Sequence, residues 1–101
     1  MKLETWILIK KSKSLTNGEL IIYLSKTELK LLEAIAQEPE RKAKTDLLIR
    51  QIDKQPNTYK GLPMCISRLR NKFKNSTNGK RLFVAIRNYG YCTTQLIVVL
   101  E

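Results

Sequence analysis

The sequence predicts an α+β domain: an N-terminal antiparallel sheet, three helices, and a closing β-hairpin. Three observations predict it. Asn17-Gly18 stands between two apolar runs, the local signature of a hairpin. Ser25-Lys26-Thr27-Glu28 opens a stretch of helical periodicity with the residues of a capping box. Leu62, Cys65, Ile66, Leu69 and Phe73 recur at helical spacing and are followed by an alternating segment that turns at Asn88-Tyr89-Gly90.

The elements follow in order. Trp6-Ile7-Leu8-Ile9 reads as a short strand, and Lys10 to Ser14 as a polar turn. Leu15 precedes the Asn-Gly turn, where both residues tolerate φ > 0, and Leu20 to Leu24 returns as a strand. The first helix starts at Ser25, with Leu24 and Leu29 placed as a hydrophobic staple. It carries Leu29, Leu32, Ile35 and Ala36 on one face and stops near Pro39. A second helix is expected from about Thr45 to Lys54, with Leu47, Leu48 and Ile52 as its stripe and Asp46 at the positive end of its dipole. The third starts near Leu62, with Pro63 in its first turn, and runs to about Asn75. Its apolar residues form one narrow face; Lys60, Met64, Ser67, Arg68, Asn71, Lys74 and Asn75 lie opposite, flanked by Arg70 and Lys72. Leu82 to Arg87 alternates as a strand, and Tyr91 onward is its partner. Two helices joined by a loop and followed by a hairpin suggest a helix-turn-helix with a wing. The domain is expected over residues 1–95, with 96–101 as a C-terminal extension or the start of a further region.

Composition bounds the function. The length of 101 residues suits one domain, and 43% hydrophobic residues suffice for one core. The net charge is +10, and such an excess calls for an anionic partner. Its distribution is uneven. No carboxylate occurs between Asp53 and Glu101, while Lys54, Lys60, Arg68, Arg70, Lys72, Lys74, Lys80, Arg81 and Arg87 fall in that stretch. The first half carries the other eight acids among ten bases, so it reads as scaffold.

Cys65 and Cys92 lie in apolar settings and read as reduced core thiols of a cytoplasmic protein. With no His and only two Cys, a zinc site lacks ligands, and neither metal nor cofactor is expected. The absence of His and the confinement of acids to the mixed half also argue against an enzyme with a small-molecule substrate. Met1-Lys2-Leu3-Glu4 leads into a strand-like run rather than a signal peptide, and the longest apolar run, Leu96 to Leu100, falls far short of the about 20 residues of a membrane span.

A B-DNA major groove, about 12 Å wide, admits one helix with an apolar anchor behind and hydrogen-bonding side chains in front. The third helix meets that requirement. Arg68 can fork onto a guanine, Asn71 can pair with an adenine edge, Ser67 is adaptable, and Met64 can touch a thymine methyl. Lys60, Arg70, Lys72 and Lys74 suit phosphates. Arg87 at the hairpin tip can enter a minor groove or clamp a backbone, and Lys80 and Arg81 can touch phosphates on the approach. Asn88 and Gly90 serve turn geometry, with Asn88 placed beside the DNA. The competing reading is a protein-interaction module docking on an acidic partner such as a polymerase subunit.

The pieces Leu24-Ser25-Lys26-Thr27-Glu28-Leu29-Lys30-Leu31-Leu32, Pro39-Glu40-Arg41, Asp46-Leu47-Leu48, Ile66-Ser67-Arg68-Leu69-Arg70-Asn71-Lys72-Phe73 and Arg87-Asn88-Tyr89-Gly90-Tyr91, in that order, resemble the OmpR/PhoB-type winged-helix domain of bacterial transcription regulators. The resemblance runs from Trp6 to about Thr93. It implies a four-stranded N-terminal sheet, a third helix in the major groove over about 62–75, and a wing over about 82–93 at the adjacent minor groove. It also implies that Arg68 and Arg70 match recognition-helix arginines, Lys60 a phosphate-contacting position, and Arg87 the wing arginine. The sequence departs from the family at Asp53, where Trp is common, at Ala85 and Asn88 in the wing, and at Gly61-Leu62-Pro63. The implied partners are double-stranded DNA, RNA polymerase, and a second copy of the chain on DNA. Two architectures fit: a stand-alone regulator, or a ToxR-like regulator whose parent protein is anchored in the inner membrane by a downstream span. The second is preferred, because a domain starting at Met1 is how that architecture begins.

Overall fold

The computed structural model describes residues 4–101; residues 1–3, read as the lead into the first strand, lie outside them. The elements are β1 (Thr5–Ile9), β2 (Ser14–Thr16), β3 (Ile21–Tyr23), α1 (Lys26–Ala36), β4 (Lys42–Lys44), α2 (Thr45–Gln51), α3 (Leu62–Ser76), β5 (Phe83–Ile86), β6 (Gly90–Thr93) and β7 (Leu96–Leu100). They form two sheets, ordered β3-β2-β1-β7 and β4-β6-β5. The fold is a winged helix-turn-helix with the expected order of sheet, three helices and hairpin.

The two ends of the chain meet. β1, β2 and β3 are antiparallel, as expected, but the fourth strand of that sheet is β7, which runs parallel to β1 from Thr5↔Leu96 to Ile9↔Leu100. The segment set apart as an extension is thus hydrogen-bonded into the N-terminal sheet. Ile97 and Val99 alternate inward onto the core, which is why an apolar run of this length is a strand here.

Local chemistry explains the elements. In the β2–β3 loop Gly18 alone is left-handed, at φ 98°, while Asn17 Oδ1 accepts the Glu19 and Leu20 amides at 2.9 Å each. The loop is four residues long rather than a two-residue turn, because Asn17 uses its side chain as the cap. The capping box forms as expected: the Glu28 amide donates to Ser25 Oγ (3.1 Å) and the Ser25 amide to Glu28 Oε1 (2.8 Å). α2 ends sooner than expected. Asp53 takes φ 63° just past its cap, and that left-handed residue turns the chain out of the helix. Asp53 is exposed there, with Lys30 Nζ at 2.6 Å from its carboxylate.

β4 has no counterpart in the sequence reading. Its residues Lys42-Ala43-Lys44 offer one apolar side chain, and only tertiary pairing with β6 makes them a strand. The core lies between the first sheet and the helices. Trp6, Leu8 and Leu15 from the sheet meet Leu31, Leu32 and Ile35 of α1, Leu48 of α2, and Leu62, Ile66, Leu69 and Phe73 of α3.

Candidate nucleic-acid interface

The interface is built on α3. Leu62, Ile66, Leu69 and Phe73 are each 1% exposed, so this stripe fixes the helix against the core. Cys65, grouped with them by spacing, is only half-buried, and its Sγ lies 3.4 Å from the Tyr59 hydroxyl. Cys92 is half-buried as well, and both thiols are free. Pro63 sits in the first helical turn, where a missing amide is harmless. At the other end the Thr77 hydroxyl donates to Phe73 O (2.7 Å), and the Gly79 amide donates to Lys74 O (2.9 Å), closing the helix.

A fixed stripe behind leaves a fixed face in front. Met64, Ser67, Arg68, Asn71, Lys74 and Asn75 are all exposed, and Lys60 is exposed in the loop that enters the helix. Among the described residues no carboxylate pairs with Lys60, Arg68, Arg70, Lys74, Arg81 or Arg87. Arg70, half-buried, turns to the other flank, where it shares an open hollow with Lys74, Gly79, Lys80 and Arg81. The molecule therefore presents a run of uncompensated cations from the entry of α3 to the start of β5.

Two of the expected phosphate contacts are corrected. Lys72 faces inward: its Nζ donates to Glu28 Oε1 at 2.7 Å and to Tyr23 O at 3.1 Å. Lys80 Nζ likewise donates to Glu4 Oε2 at 2.9 Å. A lysine already engaged with a carboxylate offers a phosphate little net charge. Sequence separation hid both pairs, since the carboxylates come from the mixed-charge half of the chain.

Glu28 thus holds α1 to α3. Burial alone would raise its pKa, but the Lys72 ammonium and the Ser25 amide outweigh that and hold the carboxyl below its ordinary value. A carboxyl whose folded value is lowered stabilises above its unfolded value, and the stabilisation is lost as pH falls through the folded one. We expect Lys72→Met to destabilise the domain by about 1–3 kcal/mol in urea denaturation at neutral pH. The difference from the parent should shrink as pH falls below the ordinary carboxylate range. The same variant should leave the salt dependence of duplex binding unchanged, whereas loss of one phosphate contact would lower the slope by about 1.

The wing is β5 and β6 joined through Arg87-Asn88-Tyr89. The Tyr89 amide donates to Ile86 O at 3.0 Å, and Asn88, the third residue of that turn, has φ 60°. Asn tolerates this conformation, so it serves where glycine is more usual. Arg87 is exposed at the tip, and Ala85 is exposed on the same strand. The wing is tied to α2, because the Thr45 amide donates to Tyr89 O at 3.1 Å. Gly90 is not a turn residue, contrary to expectation: it has no left-handed φ, and a Cβ there would run into Ala43 O and lie 2.8 Å from Thr45 N. It is glycine because β4 passes too close for a side chain.

No helix among the described residues is long and apolar enough to cross a membrane, and no three potential metal ligands cluster among them. A family model described as "Transcriptional regulatory protein, C terminal" matches residues 18–93. The match takes in the α-helices and the wing and leaves out β1, β2 and β7. Among solved structures, the DNA-binding domain of Klebsiella pneumoniae RstA, in complex with the RstA box, is similar with a TM-score of 0.71 at 18% identity, covering 92% of this chain and 94% of that one. The DNA-binding domain of CpxR from E. coli is similar with a TM-score of 0.72 at 22% identity, covering 92% and 93%. At these identities the likeness is one of fold. No protein with a curated description matches in sequence.

Proposed function

We propose that this chain, which belongs to the family of C-terminal domains of transcriptional regulatory proteins of the OmpR/PhoB type, controls transcription by binding double-stranded DNA with α3 in the major groove and the β5–β6 wing at the adjacent minor groove or backbone. The family is one of regulator domains, not of enzymes. One observation carries the proposal: the face of α3 opposite its buried stripe is exposed, hydrogen-bonding and free of carboxylates, and its cations are unpaired among the described residues. A merely solvated helix face has no need to lack acids over its whole length.

The roles divide by position. Arg68 and Asn71 stand at the centre of the exposed face and read base edges, helped by Ser67 and Met64. Lys60, Arg70, Lys74 and Arg81 bound that face and hold phosphates, which supply affinity and its salt dependence. Arg87 reaches the minor groove from the wing tip, and Asn88 shapes the turn that presents it. The similarity in fold to the RstA DNA-binding domain, which is in complex with the RstA box, supports this reading.

The experiment is selection of bound sequences from a random duplex pool, followed by titration of the winning site. A single enriched sequence class and a steep fall of affinity with salt are expected. Arg68→Ala should lose about 1–3 kcal/mol of discrimination between that site and a scrambled duplex. Recovery of an unenriched pool, or equal binding of parent and Arg68→Ala to both duplexes, would leave α3 without a reading function.

A further inference from the structure

The outer face of the first sheet is apolar and bare. The strand registers place Ile21, Thr16, Ile7 and Val98 in one row across all four strands. Ile21 is 59% exposed, Ile7 39% and Val98 54%. The row runs out at β7, whose sequence Leu-Ile-Val-Val-Leu carries no charge, proline or glycine. Strands at a sheet edge normally carry such residues, because an uncharged edge invites pairing with another strand.

β7 has a free ladder to offer. The Leu96 amide donates to Glu4 O at 2.9 Å, and Leu100 O accepts the Lys10 amide at 3.0 Å. Alternate residues of a strand turn their backbone the same way. Leu96, Val98 and Leu100 therefore face β1, while Ile97 and Val99 direct N–H and C=O away from the sheet. Among the described residues no backbone group meets them.

We propose that this edge docks a second copy of the chain, β7 against β7, antiparallel about a twofold axis at Val98. In that register Ile97 stands opposite Val99 of the other copy, and each such pair exchanges both of its backbone bonds. Val98 faces its own symmetry mate, and the apolar row continues through both molecules. Charge selects the same arrangement. Glu101 follows β7, and its side chain is 83% exposed; its partner among the described residues, Lys10 Nζ at 3.2 Å, is shared with Glu33 at 2.8 Å. Arg81, exposed and without a carboxylate partner among the described residues, stands at the other end of β7, where Thr94 and Gln95 both donate to its carbonyl and Glu4 is already taken by Lys80. Antiparallel pairing sets Glu101 opposite Gln95 and brings its carboxylate to the Arg81 end of the other copy, twice. A parallel copy would set like ends together. An interface of one short strand is weak alone, and it strengthens when two copies are held side by side. The proposal does not depend on the DNA-binding reading.

Cysteine scanning without DNA tests it. At a non-hydrogen-bonded antiparallel pair the Cα atoms are about 4.5 Å apart, within disulfide reach. Val98→Cys should give a disulfide-linked dimer under mild oxidation at about 100 µM protein, well above the parent chain with its native Cys65 and Cys92. Leu100→Cys should link at least about tenfold more slowly, since the two copies of Leu100 sit four positions apart, about 14 Å. Val98→Lys, at an exposed position, should keep the parent's circular dichroism and sediment as a monomer where the parent associates. Equal linking by Leu100→Cys and Val98→Cys would overturn the register. No linking by Val98→Cys, a parent monomeric at about 1 mM, or a dimer that survives Val98→Lys would each overturn the interface.

Discussion

Gly90→Ala is expected to lose at least about 3 kcal/mol in urea denaturation, a large share of the about 5–15 kcal/mol that holds a domain of this size. The added Cβ meets backbone and not a movable side chain: Ala43 O in its path, Thr45 N at 2.8 Å and Lys44 Cα at 2.9 Å. No rotamer relieves that overlap. Either β4 draws away from β6 and gives up the ladder from Lys42↔Cys92 to Lys44↔Gly90, or the wing tilts off α2 and loses the Thr45–Tyr89 hydrogen bond. Both routes move Arg87, so a variant that stays folded at low temperature should also bind duplex DNA more weakly than the parent. Gly79→Ala is the control. Gly79 has φ 97° but no atom within 4 Å of its missing Cβ, so only left-handed strain applies, about 1 kcal/mol. If the two substitutions cost the same, the close approach of β4 to the wing is not what requires glycine at position 90.

That contrast shows where sequence reading reaches and where it stops. Local chemistry was legible. The capping box at Ser25 and Glu28, the proline in the first turn of α3 and the left-handed Asn88 each depend on neighbours a few residues away. The buried stripe of α3 was legible because helical spacing alone gathers it. What could not be read is what distant segments do to one another. β4 has too little apolar character to announce itself, so the reason for Gly90 stayed hidden behind a plausible turn. β7 looked like an appendage because nothing local says that its partner is β1.

The candidate interface divides the same way. Its exposed centre, Arg68 and Asn71, follows from helix geometry, and the structure leaves it facing solvent. Its flanks do not follow. A lysine in a carboxylate-free stretch reads as a ligand for phosphate, yet Lys72 and Lys80 are claimed by Glu28 and Glu4. Half-chain charge asymmetry therefore overstates the surface available to DNA. The cations left over form a narrower band, Lys60, Arg68, Arg70, Lys74, Arg81 and Arg87, which narrows the set of substitutions expected to change the salt slope.

Phe73→Ala is expected to destabilise by about 3–5 kcal/mol, the range for emptying a buried aromatic site. Phe73 is 1% exposed and meets Trp6, 0% exposed, edge to face at 5.0 Å between ring centroids. This pair fastens α3 to β1, one turn before the Thr77 cap that closes it. Truncation leaves a cavity that α3 cannot fill without shifting, because Leu62, Ile66 and Leu69 hold the rest of the helix in place. Trp6 is the sole tryptophan, so its fluorescence reports the site directly. Its emission should move to longer wavelength in the alanine variant as water gains access. Phe73→Leu keeps most of the volume and should cost under about 1.5 kcal/mol, with the choice of DNA site intact. A loss under about 1 kcal/mol for Phe73→Ala, with Trp6 emission unmoved, would mean that the sheet and helix close over the gap. The orientation of α3 would then rest on the Glu28–Lys72 pair and the remaining stripe rather than on the aromatic contact.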